Sequence, residues 1–435
     1  MKQFTKLSEK NILILIILFS IIFRIAAAIY MGNKVVELPG TADQITYHTL
    51  AQRILNGHGF TFDRPWWPAT QPGEPTAHWS YLYTFFLTAI YRLFGVVPLA
   101  ARIIQAILIG FLQPVLIYLI AKKIFDSSTA LIAATWMAAY VYFIYYTAAL
   151  LTEPLFITSV LAIIYFTLKI REEKSANFSM YFYLGLMCGT AVLLRQAFLL
   201  FLPFLFLWIL WLKRKPHFIK DFLKLSVSGL IILACILPFT WFNYIRFERF
   251  VLLNTNAGFA FYWANHPVYG TQFEGILPEE MGNYLILLPE ELKGLDEAAL
   301  DQALLQRGLQ FVQEEPGRYF LLSLSRIPIL FEFLPSKQSS LISNFSRVAS
   351  FGIALPFILI GIMLSLVHLH RKKQPLFDSS IFIILLFGLV YCSIHILSWT
   401  LVRYRLPVDA LFLIFAAYAI RNLSQKIFTN RISGR

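Results

Sequence analysis

The side chains able to do acid–base or anion chemistry are sparse in this chain and fall at a few breaks between apolar runs. Asp43 stands in Gly40-Thr41-Ala42-Asp43-Gln44-Ile45-Thr46-Tyr47-His48, ahead of a helix-like stretch from Tyr47 to Leu55 that closes at Asn56-Gly57-His58-Gly59-Phe60. A carboxylate here can cap that helix by accepting backbone N–H groups. Shielded from bulk water near a membrane face, it can instead accept the proton of a hydroxyl group. Glu153 lies in Leu150-Leu151-Thr152-Glu153-Pro154, a tight turn between two apolar runs. It reads either as a solvated turn glutamate or as a second carboxylate in the same cavity, holding an acceptor or a divalent cation. Arg195 joins two apolar runs in Leu194-Arg195-Gln196, where snorkelling is the alternative to a site role.

The segment Arg403-Tyr404-Arg405-Leu406-Pro407-Val408-Asp409 carries the strongest anion signal. Pro407 disfavours helix at Leu406 and suits a first helical turn, so the arginines belong to a bent connection with Asp409 near the start of the next helix. Guanidinium groups offer fixed, charge-assisted donors to a phosphate. An Arg405–Asp409 pair with a favourable helix-end charge is the structural alternative. His78, in Thr76-Ala77-His78-Trp79-Ser80-Tyr81-Leu82-Tyr83, sits among aromatics that also fit a membrane belt. Asn254-Thr255-Asn256-Ala257-Gly258-Phe259 and Asn265-His266-Pro267 supply amides and aromatic faces of the kind that bind sugars, in stretches that also read as turns.

These residues are positioned by membrane helices. Of 435 residues 58% are hydrophobic, 41 are Phe and only 14% are charged, too apolar a composition for a soluble chain. The formal charge of +13 does not point to nucleic acid, because the basic residues sit in short clusters between apolar runs. Cys188, Cys235 and Cys392 all fall within apolar runs, which argues for packing rather than a disulfide framework or a zinc site. The first run, about 11–31, follows Lys2, Lys6 and Lys10 like a signal peptide, yet it is long and many spans follow, so it reads as a retained helix with the N-terminus inside. Further spans are expected at about 98–121, 129–149, 154–170, 178–194, 197–212, 221–243, 345–368, 378–400 and 406–421. The chain is thus expected to be an all-α polytopic membrane protein of about ten transmembrane helices.

Alternate connections carry Lys122 and Lys123; Lys169, Arg171 and Lys174; Lys213, Arg214, Lys215 and Lys220; Arg371, Lys372 and Lys373; and Arg421 and Lys426. One threading puts all of them on the cytoplasmic side. It leaves segments 32–78 and 244–344 outside, together with Asp43, Glu153, Arg195 and the Arg403 segment. The same parity keeps residues 79–95, with Arg92, interfacial or re-entrant, and makes residues 317–334, with Arg318, Arg326, Pro328 and Glu332, an amphipathic surface helix. Residues 244–344 contain Glu279, Glu280, Glu290, Glu291, Asp296, Glu297 and Asp301, and show helix-period apolar spacing from Leu295 to Glu315. The organisation read is 1–243 as an N-terminal transmembrane core including outer loop 32–78, 244–344 as an extracytoplasmic segment with amphipathic helices, and 345–435 as C-terminal transmembrane helices. No internal repeat and no Gly-rich phosphate loop is evident, so cytosolic nucleotide chemistry is unsupported.

In order and sidedness these motifs resemble the GT-C class of membrane glycosyltransferases, in particular the bacterial relatives of protein O-mannosyltransferases and of the lipid A aminoarabinose transferase. The resemblance covers essentially the whole chain. Its carriers are Asp43 with Tyr47-His48-Thr49-Leu50-Ala51 and Gly57-His58-Gly59-Phe60, Ser80-Tyr81-Leu82-Tyr83, Leu93-Phe94-Gly95, Glu153-Pro154, Asn265-His266-Pro267 and Arg403-Tyr404-Arg405-Leu406-Pro407. It implies inverting transfer of a sugar from a polyprenyl-phosphate carrier to an acceptor hydroxyl of a glycan, lipid or protein, at the non-cytoplasmic face of the inner or plasma membrane. Asp43 and Glu153 would be catalytic. Arg403, Arg405, Arg195 and His78 would bind the donor phosphate, and Tyr47, Tyr83, Asn256, Asn265 and His266 the substrates. A divalent metal is possible, with no ligand set assigned. Two departures stand out: a lone Asp43 where many members show two adjacent acids, and Ser80-Tyr81 in place of the usual Pro-Pro. Other readings of the same residues are a polymerase or ligase for lipid-linked glycans and a transporter or flippase, although a transporter commonly shows internal repeats and midplane ionisable residues.

Overall fold

A computed structural model describes residues 8–39, 41–173, 177–213, 218–275, 277, 284–335 and 339–433. Lys2, Lys6, Gly40, Lys174, Arg214, Lys215, Glu279 and Glu280 lie outside the described residues. The described residues form helices joined by turns, with three isolated β-bridges, all between residues 38 and 75.

Each expected apolar run is helical. They are α1 (Glu9–Met31), the later-numbered α4 (Pro98–Ile124), α5 (Ser127–Ala139) with α6 (Val141–Ala148), α7 (Glu153–Glu172), α8 (Phe178–Leu194), α9 (Leu202–Leu212) behind a short 3-10 turn, α10 (Phe218–Phe247), α14 (Leu341–Arg347) running into α15 (Ile353–Arg371), α16 (Ser380–Leu397) and α17 (Leu406–Ser433). Between them come α2 (Asp43–Leu55) within segment 32–78, α3 (Tyr81–Phe94) within 79–95, and α11 (Ala257–Asn265), α12 (Glu297–Glu314) and α13 (Pro316–Leu330) within 244–344. Among the described residues seven helices are long and apolar enough to cross a membrane, eight with the α5–α6 pair; α8 and the Gln196–Leu212 helix are shorter.

The α5–α6 pair is bent by 49° at Tyr140. A break leaves carbonyl groups open, and in an apolar interior these need donors. Arg24, wholly buried in the middle of α1, supplies them: its Nη1 donates to the Ala138 carbonyl at 3.2 Å and its Nη2 to that of Met137 at 3.2 Å. The bundle is closed by α1 on α4, α8 on α10 and α15 on α17. The α15–α17 crossing is so tight that a Cβ on Gly361 would lie 1.9 Å from the Phe415 carbonyl oxygen.

Within residues 79–95, Tyr81–Phe94 form α3, whose 14 residues reach only about 21 Å, short of a hydrocarbon core of about 30 Å. Helix α13 departs from the expected surface helix in its polarity. Arg326 is fully buried, while Phe320, Leu321, Leu324 and Ile327 are exposed. The reason is again carbonyl satisfaction: Arg326 donates to the Ile396 carbonyl at the end of α16 at 3.1 Å, and to the Ala264 carbonyl and the Asn265 side chain at the end of α11.

Segments 32–78 and 244–344 are joined by Glu297. One of its oxygens accepts from the Ala77 N–H at 2.8 Å and from the Thr255 hydroxyl, and the other from the Thr70 hydroxyl at 2.6 Å. Part of the acidic stretch is therefore internal glue rather than a solvated face. Asp301 likewise accepts from the N–H groups of Gly258 and Phe259 at the start of α11. Burial nevertheless pushes its carboxyl up to about 7. Gly258 is required by this contact, since a Cβ would sit 1.7 Å from the Asp301 carbonyl oxygen.

Candidate active site

Asp43 is the first residue of α2, and its backbone N–H is taken by the Thr41 hydroxyl at 3.1 Å. The N-cap residue is Ala42, which makes no side-chain cap, so the capping reading of Asp43 gives way to another partner for its carboxylate. Glu153 opens α7, followed by Pro154 in the first helical turn, where a missing N–H costs nothing.

Both carboxylates are located by polar residues of α4. Arg102 donates from Nε to the Ala148 carbonyl at 2.8 Å, from Nη1 to the Gly32 carbonyl at 2.7 Å and from Nη2 to the Gln44 side chain at 3.0 Å. Gln105 donates to the carbonyls of Thr147 and Ala149 at 2.7 and 2.8 Å, and accepts from the Tyr83 hydroxyl at 3.0 Å. The turn leading to Glu153 is thus tied to the end of α1 and to the residue beside Asp43. Arg102 and Gln105 went unread in the sequence, although two polar residues three apart inside an apolar run are the mark of a buried network.

Four side chains from distant parts of the chain meet above this frame. Arg403 Nη1 lies 2.6 Å from Asp43 Oδ2 and 3.4 Å from Glu153 Oε1, and Arg195 Nη2 lies 2.6 Å from the same Glu153 oxygen. Arg195 follows the last residue of α8, and Arg403 belongs to a 3-10 turn, Val402–Arg405, that leads into α17. The Tyr404 ring faces both guanidinium carbons, at 5.2 and 5.4 Å. Glu153 is buried, whereas a quarter of the Asp43 side chain is exposed, so the cluster opens to its surroundings at Asp43. Burial pushes the Asp43 carboxyl up, but the neighbouring Arg403, helped by Thr41 and Arg195, outweighs it and holds the group below the usual carboxylate range. Two carboxylates against two guanidinium groups leave no net charge. The cluster can take up an anion on its arginines while Asp43 faces an incoming hydroxyl group.

The other expected residues divide by place. Tyr47 is buried beside the cluster, edge-on to Trp79 and Tyr83. Asn256 accepts from Gln196, the neighbour of Arg195, at 2.9 Å. His78 donates from Nδ1 to the Thr255 carbonyl at 2.7 Å, and burial pulls its ring below the usual range, which leaves it a neutral positioning group rather than a cation for a phosphate. Three residues are not brought to the cluster. Asn265 is buried in the Arg326 network. His266 accepts from the Val268 N–H and stands edge-on to Tyr262 and Phe311. Arg405 is fully buried against Asp409 at 2.9 Å, donates to the Leu330 carbonyl at 2.6 Å and lies 3.5 Å from the centre of the Phe351 ring. Arg405 is thus engaged by Asp409 and the Leu330 carbonyl, and the guanidinium groups at the cluster are those of Arg403 and Arg195.

A divalent cation does not fit the donor set. The space shared by Asp43 and Glu153 is taken by Arg403 Nη1, and among the described residues no three His, Cys, Asp or Glu side chains converge on one point.

Residues 78–242 match the family model for dolichyl-phosphate-mannose-protein mannosyltransferases, a stretch that includes Glu153 and Arg195. No curated protein matches the sequence. Among solved structures, the oligosaccharyltransferase AglB of Archaeoglobus fulgidus, in complex with an inhibitory peptide and a dolichol-phosphate, aligns with a TM-score of 0.61 at 16% identity, over 99% of this chain and 52% of that one. The apo form of the same organism's oligosaccharyltransferase aligns with a TM-score of 0.60 at 16% identity, over 99% and 52%. The chain thus spans about half the length of these proteins and shares their fold. The comparisons thus give a match over residues 78–242 to the mannosyltransferase family model and, over nearly the whole chain, the fold of a membrane oligosaccharyltransferase.

Proposed function

We propose that the protein moves a sugar from a polyprenyl-phosphate carrier to an acceptor hydroxyl, with inversion, at the non-cytoplasmic face of the membrane. The observation that carries the reading is the meeting of Asp43, Glu153, Arg195 and Arg403 in one neutral cluster that opens at Asp43. The dolichol-phosphate in the archaeal complex supports a lipid phosphate as the anion.

In this reading the donor phosphate competes with Asp43 for Arg403. The guanidinium turns part of its donor fork to the phosphate, and Asp43 is left less neutralised and more basic. The acceptor oxygen then attacks the anomeric carbon while Asp43 takes its proton. The bond from that carbon to the phosphate oxygen breaks, and its electron pair stays on the phosphate, held by Arg403 and Arg195. A single displacement inverts the anomeric centre. Glu153 anchors Arg195 and keeps the second guanidinium in place when Arg403 shifts.

Phosphate recognition is tested by binding to dolichyl phosphate against dolichol, with purified protein in lipid nanodiscs. Charge-assisted hydrogen bonds contribute about 1.5–3 kcal/mol each, so the phosphate is expected to raise affinity by roughly ten- to a hundredfold. Equal affinity for both lipids would contradict the reading. The face is tested in spheroplasts with Lys34→Cys, Glu290→Cys and Lys372→Cys. An impermeant maleimide is expected to label the first two without lysis and the third only after it; the reverse pattern would place the cluster inside.

A further inference from the structure

His395 is a buried polar group beside the cluster that the chemistry above does not use. It is 8% exposed near the end of α16. Its Nδ1 faces the Trp399 carbonyl at 3.2 Å, while its Nε2 has no hydrogen-bond partner among the described residues. The ring stacks on Tyr404 at 4.6 Å and 26° and meets Tyr391 edge-on at 4.9 Å. Tyr404 is the ring that Arg195 and Arg403 both approach, so a single aromatic ring separates His395 from the two guanidinium groups.

The chemistry of the free nitrogen narrows what it can bind. A carbonyl only accepts, so Nδ1 carries the proton, and Nε2 of the neutral ring presents a bare lone pair. Phosphate oxygens are acceptors too and find nothing there. A hydroxyl group finds a partner. Leaving such an acceptor buried and unmet is unfavourable, which a ligand hydroxyl would relieve. In a polyprenyl-phosphate sugar the hydroxyl groups nearest the phosphate are those of the sugar. We propose that His395 reads the donor sugar, its Nε2 accepting a hydrogen bond from a sugar hydroxyl while Arg195 and Arg403 hold the phosphate. The proposal rests on the phosphate reading given above. It makes His395 a specificity residue, because a site built to bond a hydroxyl group discriminates strongly against a ligand that lacks it.

The test compares dolichyl phosphate with dolichyl phosphate mannose and dolichyl phosphate glucose, bound to the full-length protein and two variants. His395→Phe keeps a ring to stack on Tyr404 and removes the acceptor. His395→Gln places an amide where Nε2 stands and restores one. The expected result is that His395→Phe binds dolichyl phosphate like the wild type but loses roughly 5- to 100-fold for whichever sugar lipid the wild type prefers. His395→Gln is expected to recover most of that loss. If His395→Phe weakens the bare and the sugar-loaded lipid alike, or neither, the proposal is overturned. The same holds if the wild type binds all three lipids equally, or if His395→Gln, when His395→Phe does not fold, shows full loss for the sugar lipids. Failure of the phosphate reading is a separate outcome, seen as wild-type binding that does not distinguish dolichyl phosphate from dolichol.

Discussion

Asp43→Asn protein is expected to insert and fold normally, to bind dolichyl phosphate at least as tightly as the wild type, and to lose sugar transfer by at least about a hundredfold. Asparagine keeps the shape of the side chain and can still meet the Arg403 guanidinium, so the frame of Arg102, Gln105 and Gln44 is untouched. It cannot take a proton from the acceptor. It also removes one of the two anions that compete for Arg403, which is why lipid-phosphate affinity should hold or rise while transfer falls. The ionisation of Asp43 carries a pH signature. Its folded pKa is depressed, so its contribution to stability is present above the unfolded value of about 3.9 and is lost as pH falls through the folded value. For the same reason the acid limb of kcat/KM that belongs to Asp43 lies below the ordinary aspartate range. A limb from this group near pH 6 would mean that Arg403 does not hold it in the free protein.

Arg403→Ala is the second large effect, and Arg405→Ala is its control. Removing Arg403 leaves Asp43 and Glu153 facing only Arg195, and removes a donor to the phosphate. Affinity for dolichyl phosphate should fall by about ten- to a hundredfold, with loss of stability besides. Arg405→Ala should behave differently. It strips Asp409 of its partner in a fully buried pair, a change that costs about 3–5 kcal/mol, but it takes nothing from the cluster. Thermal unfolding in detergent together with lipid-phosphate affinity separates the two. Arg405→Ala protein of normal heat stability and poor affinity would return Arg405 to the phosphate and undo the division drawn here.

That division shows where the sequence runs out. Charge parity alone put Asp43, Glu153, Arg195 and the Arg403 segment on one side of the membrane, because the sign of a connection is legible without knowing how helices pack. Arg403 and Arg405 could not be told apart. Two residues apart on a helical turn they point to opposite sides, and which side faces the cluster depends on how α17 is rotated against its neighbours. Arg24 escaped notice, and Arg326 was read only as part of a surface helix, for a related reason. Each answers carbonyl groups opened by a helix break or helix end elsewhere in the chain, and no local pattern announces such a partner. Glu297 was hidden in an acidic stretch with nothing to set it apart, and only its contacts with Thr70, Ala77 and Thr255 show it joining segments 32–78 and 244–344. Asn265 and His266 drew attention as sugar-binding types, yet their polar atoms are committed to Arg326 and to a local turn.

The most direct measurement of the central claim, transfer of a sugar by a site centred on Asp43, needs neither the sugar nor the acceptor to be known beforehand. Mass spectrometry of envelope glycans, lipids and glycoproteins is compared in cells lacking the chain, in the same cells expressing the wild type, and in cells expressing Asp43→Asn at an equal membrane level. The expected result is a sugar-bearing species that disappears on deletion, returns with the wild type and stays absent with Asp43→Asn, while the unused polyprenyl-phosphate sugar accumulates. Return of the species with Asp43→Asn, or an unchanged glycan profile in all three strains, would contradict it.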